Sequence, residues 1–388
     1  MKVREICHSI TDGSHNPPQG VEESKYLMLS SKNIFDDEIT VDDPRFLTEE
    51  AFQQEDKRTM IVPGDVLLTI VGTVGRTAVV SDDMPRFTLQ RSVAVLHPRR
   101  EICTSRYLMY ALQSRRAHIE KTARGVAQKG IYLGEVGDID LPIPVLEQQG
   151  SIVGILDKVG RLVQTRQRQL RALDTLIKAR FVEIFGDMLI NPMNWPEQRL
   201  GAVAEIVSGI TKGRKIQTTE LFDVPYMAVS NVKDGYIDWT TVKTIAASTA
   251  EIEQYRLLPD DVLMTEGGDP DKLGRGAIIR NPPKDCIHQN HIFRVRLNQG
   301  YILPEFMEQY LQHQRAKRYF LGCAKQTTGI ASINMTQLRA LPMLMPPMKL
   351  QKQFDTFVSQ VDKSKVVVQA ALEKAQLLFD SLMQQYFG

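Results

Sequence analysis

Cysteine is scarce: the chain has four, Cys7, Cys103, Cys286 and Cys323, and no two stand at a short spacing. That argues against a disulfide framework and suits free thiols in a reducing compartment. No apolar run approaches the ~18–20 residues a membrane span needs, so no membrane role is expected. The opening stretch "MKVREICHSITDGSH" lacks an apolar signal-peptide core, and export is not expected. A cytoplasmic protein is the expectation. Net charge is also small, at +2.

What is present is the balance of a soluble globular protein. Of 388 residues, 43% are hydrophobic and 24% charged, enough for two or three domains with real cores. The charge is segregated. Residues 36–56 hold nine acids against Arg45 alone, whereas residues 99–129 hold eight Lys/Arg against Glu101 and Glu120. Residues 158–180 carry seven Lys/Arg against Asp174, and residues 309–339 carry five with no acid. Basic surface on a nearly neutral protein suits nucleic acid; solvated helix faces are the plainer alternative.

The chain repeats itself. "PGDVLLTIVGTVGRTAVV" from Pro63 returns as "PDDVLMTEGGDPDKLGRGAII" from Pro259. "ITDGS" parallels "IVSGI", "YLMLS" parallels "YMAVS", and "PVLEQQGSI" parallels "PPMKLQKQF", all in the same order. The offset drifts from 196 (Ile10 to Ile206) to 202 (Pro144 to Pro346). Collinear pairs of this kind mark a tandem duplication.

Each copy opens with β-like runs (Val66–Val71, Thr77–Val80, Ser92–Leu96) broken by Gly, Pro, Asn and Asp. A helix is expected over "SRYLMYALQSRRAHIEK" and again over "PEFMEQYLQHQRAKRYF". The second part of each copy starts at a proline-rich punctuation, "LPIPVLEQQ" or "LPMLMPPMKLQ", and runs on with apolar residues at three-four spacing. Glu147 to Phe185 would form a helix ~58 Å long, too long to hide in one small core, so it is expected to pack on its duplicate. The expected fold is α+β: two tandem α+β domains (1–140 and 188–341) separated by two long antiparallel coiled-coil-like helices (141–187 and 342–388). The duplication makes it pseudo-two-fold.

"GTVGRT" at Gly72–Thr77 resembles a phosphate loop only in part. Ile70 sits where the first glycine belongs, Arg76 replaces the lysine, and β-like runs flank both sides. It reads as a hairpin tip that presents Thr73 and Arg76, or Lys272 and Arg275 in the second copy, to a phosphodiester; a plain turn is the alternative. Other chemistry fails similar tests. "NPPK" at Asn281 has Lys284 where an amino-methyltransferase needs a stacking aromatic. "CIHQNH" at Cys286 has no second cluster to complete a zinc site. The acids of "PDDV…EGG" lack a nuclease pattern, and His15 and His97 lack a nucleophile partner. No catalytic, metal or cofactor site is expected.

What remains is binding through loops. In the first copy these are "DGSH" (Ser14, His15), "SSKN" (Lys32, Asn33), the hairpin, and "ARGVAQKG" (Arg124, Gln128, Lys129). In the second they are "SGITKGRK" (Lys212, Arg214, Lys215), "SNVKDG" (Asn231, Lys233), its hairpin, and "AKQTTGIAS" (Lys325, Gln326, Thr327). Arg and Lys suit phosphates, while Gln, Asn, Ser and Thr can read base edges.

With "LPIPVLEQQ" opening the helical part, "LDTLIKARFVEIFGD" closing it, and the "PGDVLLTIVGTVGR" hairpin, the whole chain resembles the specificity (S) subunit of type I restriction–modification systems. The resemblance implies a DNA recognition subunit with no catalysis of its own. Each domain would be a target recognition domain for one half of a bipartite double-stranded DNA site, with the helices setting the spacer. It implies two modification (methyltransferase) subunits as partners, and restriction (motor–nuclease) subunits through them. S-adenosylmethionine would belong to the modification subunit. A coiled-coil scaffold with protein-binding end domains is the alternative. The longer hairpin of the second copy, "EGGDPDKLGRG", departs from the first and weakens any one-to-one transfer of contacts.

Overall fold

Val66–Thr69 reads V-L-L-T, and all four side chains are buried. In a strand, alternate side chains face opposite sides, so unbroken burial means a sheet covered on both faces. The computed structural model, which describes residues 1–388 apart from 126–128, 216–219, 270–271 and 328–329, meets that requirement. Val66 and Leu68 join a core with the helix Ser105–Ser114 through Tyr107, Leu108 and Leu112. Leu67 faces the other way, onto Leu29, Ile34, Phe87 and Leu89.

Two compact units are formed: Met1–Gln167 with Ala370–Gly388, and Arg168–Gln369. In the first, an antiparallel sheet has the order Cys7–Asp12, Val93–Pro98, Val66–Thr69, Thr77–Val79. A smaller sheet places Tyr26–Leu29 between Arg45–Leu47, antiparallel, and Phe87–Leu89, parallel. The second unit repeats both. Its strands run in the order Ala204–Ser208, Ile292–Leu297, Val262–Thr265, Gly276–Ile278. Phe222–Met227 likewise lies between an antiparallel Lys243–Ala247 and a parallel Ile287–His288. The duplication read in the sequence is thus a duplication of topology. The longer second hairpin takes part in a further sheet, in which Gly267–Gly268 pairs with Ile330–Ser332 and that strand with Lys325–Thr327.

The single helix expected after the last core strand is two in each unit. Arg115 separates Ser105–Ser114 from Arg116–Thr122. His313, at φ −74° and ψ 149°, leaves the helix Pro304–Gln312, and its ring accepts the amide of Arg315 to start Gln314–Cys323. The expected long helices are Leu146–Phe185 and Met348–Phe387, 40 residues each. Both enter both units. In the first, Leu156 and Phe387 share one core, and the Tyr107 and Phe387 rings lie 5.3 Å apart. In the second, Phe181 meets Phe354 at 5.5 Å and Asp174 meets Lys365 at 2.7 Å. Position numbers fall along one helix as they rise along the other, so within that unit the two run antiparallel.

A buried amide fastens each long helix to its own domain. Gln149 donates to the carbonyls of Ile102 and Pro144 at 2.8 and 2.9 Å and accepts from the Thr104 amide at 2.9 Å. Gln351 repeats this with Tyr301, Pro346 and the Leu303 amide, at 3.0, 2.9 and 2.9 Å. Leucine at either position leaves three backbone groups without their partner. A loss of about 3 kcal/mol is expected, seen as a lower urea midpoint; a midpoint at the wild-type value would refute it.

Candidate nucleic-acid interface

In the first unit, the loops singled out by composition meet. Ser14 donates its amide to Leu89 O at 2.7 Å, and its own carbonyl accepts the Arg91 amide at 2.9 Å. The Ser31 amide donates to Ser92 Oγ at 3.0 Å. The Ser92 carbonyl accepts from Ile70 at 2.9 Å and Val71 at 3.3 Å, and Gly72 donates to Lys129 O at 3.1 Å. A loop that composition did not single out, Gln90–Ser92, therefore joins Ser14, Ser31 and Ile70–Val71 through backbone bonds and the Ser92 hydroxyl, and Gly72 carries the connection on to Lys129. The hairpin is real, with Leu68 paired to Thr77 and Gly72 and Gly75 at φ 83° and 92°. Strands flank it on both sides, so it is no phosphate loop. Beside it lies a cleft of about 430 Å3 lined by Thr73, Arg76, Arg116, Glu120 and Lys129.

The second unit repeats the arrangement. Ile210 donates to His288 O at 2.8 Å, Asn290 to Ile210 O, Gln289 to Met227 O and Glu266 to His291 O, each at 3.0 Å. Its joining loop is Gln289–His291, the counterpart of Gln90–Ser92 directly before the central strand. The shared glutamine and the repeat offset were the signal that could have found both.

Several sequence-chosen residues turn out to be scaffolding. Asn33 and Asn231 are buried: each Oδ1 accepts an amide three residues earlier (Ser30, Ala228) and each Nδ2 donates to a carbonyl (Asp42, Asp238) at 2.9 Å. They hold loops closed, and their burial keeps them from reaching a base. Ser14 is buried between backbone strands. Arg214 is committed to Glu251 and to the Ala246 carbonyl, 2.9 Å away. That pairing holds the Glu251 carboxyl down at about 2.

Other cations are also engaged. Lys32 pairs with the exposed Asp43, Arg124 with Glu135 at 3.3 Å, and Lys272 with Asp269. Arg76 lies over the Phe35 ring at 5.2 Å. Arg275 and Lys233 are half-buried, their amides donating to Lys272 O and Tyr236 O. The exposed His15 meets Asp12 at 2.7 Å; Thr73 is exposed at the hairpin tip. Lys129, Lys212 and Lys215 are exposed, and no ion pair joins them to another described residue. Gln128 lies outside the described residues; Lys325, Gln326 and Thr327 form a strand. The basic run 99–129 is partly consumed by the acidic run: Arg116 meets Asp36, and Arg106 bridges Asp37 at 2.8 Å and Asp157 at 2.6 Å.

"CIHQNH" divides. His288 is fully buried, its ring nitrogens 3.1 Å from Tyr255 O and 3.3 Å from Val207 O. Burial pushes its pKa down to about 4 from 6.5, against the pull of those carbonyls. A base with a lowered folded-state pKa stabilises the fold above pH 6.5 and loses that contribution as pH falls toward 4, about 3 kcal/mol in all. Stability measured across that window should fall more steeply for the wild type than for His288→Gln; parallel curves would refute the assignment. No group of three or more His, Cys, Asp or Glu among the described residues is arranged to hold a metal, and no described helix is long and apolar enough to cross a membrane.

The fold defines a class: a tandem pair of α+β recognition modules, each leading into a 40-residue helix. The chain belongs to the type I restriction modification DNA specificity domain family, whose model matches residues 22–173 and 192–375. It is 22% identical over 265 residues to the type I restriction enzyme EcoKI specificity subunit of Escherichia coli K12, covering 64% of this chain and 57% of that protein. It is 24% identical over 268 residues to the StySPI specificity subunit of Salmonella potsdam, with the same coverage. The chain thus spans a little over half the length of these curated relatives. Its fold is similar to the type I restriction–modification S subunit from M. genitalium, at TM-score 0.54 and 13% identity, covering 100% of this chain and 95% of that one. A chain from a type I system studied for complex assembly and conformational transition gives TM-score 0.52 at 16% identity, covering 100% and 96%.

Proposed function

We propose that the chain is the non-catalytic specificity subunit of a type I restriction–modification complex. Each recognition domain reads one half of a bipartite double-stranded DNA target. The long helices set the unread gap and dock two methyltransferase subunits, through which restriction subunits join. S-adenosylmethionine belongs to the methyltransferase subunit, not to this chain. One observation carries the reading: the same set of backbone-joined loops, with exposed cations on it, occurs once in each unit of a chain that matches the specificity domain twice. Phosphate contacts by lysines and base contacts by loop side chains are the division of labour such a face supports.

The test is a map of methylated adenines in cells expressing the chain with its neighbouring modification subunit. Two short defined halves around a fixed gap are expected. A continuous motif would refute the two-ended reading. Absence of any motif with an active partner would favour a protein-binding scaffold.

A further inference from the structure

The joining loop has a second property. On the described loops of the first unit, most cations are already engaged: Lys32 by Asp43, Arg76 by the Phe35 ring, Arg124 by Glu135. Arg91 is exposed, and no hydrogen bond or ion pair joins its guanidinium to any described residue. Its backbone, by contrast, is held on all sides. The Gln90 amide donates to Leu29 O at 2.9 Å, the Arg91 amide to Ser14 O at 2.9 Å, and the Ser92 carbonyl accepts from the hairpin. Behind it Gly13 comes so close that a Cβ there would lie 2.1 Å from Leu89 O and 2.5 Å from Gln90 O. A fixed backbone sets where the side chain starts, and the planar guanidinium fork, free of any partner among the described residues, is shaped for bidentate recognition.

The equivalent residue of the second unit is Asn290. Its amide donates to Ile210 O at 3.0 Å as that of Arg91 does to Ser14, and Gln90 and Gln289 form matching parallel bridges with Ser14 and Ile210. The Ser208 hydroxyl donates to its carbonyl, and Gly209 repeats the close approach, 2.0 Å from His288 O. Its side-chain amide makes one long contact, 3.4 Å, to the His291 ring. Arginine pairs bidentately with the O6 and N7 edge of guanine, asparagine with the N6 and N7 edge of adenine.

We infer that this loop reads bases and that the two halves of the target differ at the equivalent position, Arg91 selecting a guanine and Asn290 an adenine. The inference rests on the proposed function. Arg91 and Asn290 determine specificity; the lysines of the same face hold phosphates and carry no sequence information.

The experiment uses the full chain co-expressed with its modification subunit and reads methylated adenines for wild type, Arg91→Gln and Asn290→Ala. Wild type is expected to give a split motif with guanine in one half and adenine in the other at positions that the variants relax. Arg91→Gln should weaken the guanine preference alone, in favour of adenine at that position, since glutamine also pairs with the N6 and N7 edge. Asn290→Ala should relax the adenine alone, and each effect should be roughly 5- to 140-fold, the span of 1–3 kcal/mol per bidentate pair. Motifs unchanged in both variants would overturn the inference and leave the specificity-subunit reading intact. So would changes that fall in the same half for both variants, or a relaxed position that is not guanine for Arg91 or not adenine for Asn290. A wild-type map with no motif would instead overturn the reading beneath it. If Arg91→Gln methylates nothing, the purified complex is titrated with duplexes carrying each base pair at every position of the wild-type motif. Loss of discrimination at one guanine supports the inference; an equal loss at all positions makes Arg91 a phosphate contact and overturns it.

Discussion

Alanine in place of Gly13 is expected to unfold the candidate face of the first unit, and alanine in place of Gly209 that of the second. Neither glycine needs a left-handed backbone; what each needs is space. A methyl group at Gly13 would lie 2.1 Å from one backbone oxygen, and one at Gly209 2.0 Å from another. Flexible side chains can move aside, but Leu89 and His288 belong to strands in the smaller sheets. Relief therefore has to break the bonds from Ser14 to Leu89 or from Ile210 to His288. Overpacking of this kind costs about 3 kcal/mol at the upper end of its usual range. Urea unfolding of the full chain should show a lower midpoint for each variant, and hydrogen exchange should place the new opening in the altered unit. Wild-type protection at residues 13–15 in Gly13→Ala would refute the packing argument.

Reversing the charge of Lys212 and Lys215 together is expected to weaken DNA binding at every sequence. If each holds one phosphate, the slope of log affinity against log salt becomes shallower by about 1.8, at roughly 0.9 per contact. Lys129→Glu should make it shallower by about 0.9. Arg214→Glu, one residue from Lys215, should behave differently. Its guanidinium is held by Glu251, so reversal sets two carboxylates against each other and lowers stability before affinity. Affinity of the purified complex against a salt series, with a melting curve for each variant, separates the cases. An unchanged slope in the double lysine variant would remove those residues from the interface.

The repeated parts of the fold were legible because core positions leave a pattern. Apolar runs such as Val66–Thr69 and Val262–Thr265 recur at one offset, and so do the helix openings that hold Gln149 and Gln351. The candidate face was legible loop by loop, but the roles within it were not. Asn33 and Asn231 look like base readers because a polar loop residue shows its chemistry and hides its partner. Their partners are backbone groups three to nine residues away. Charge segregation misled for a related reason. Asp36 and Arg116 are 80 positions apart in sequence, Asp37 and Arg106 69, yet both pairs close in the fold and cancel. Arg91 was missed because nothing in its composition marks it; only the topology places it between four loops.

The first unit takes its last segment, Ala370–Gly388, from far along the chain, while the second is one unbroken stretch, Arg168–Gln369. During synthesis this inverts the usual order. The recognition domain that leaves the ribosome first must wait through the making of the whole second unit, roughly 10–40 s at 5–20 residues per second. Until then Tyr107 lacks the Phe387 ring, and the core around Leu156 lacks its other wall. The half of the molecule translated first therefore cannot close its core until the last segment of the chain is made.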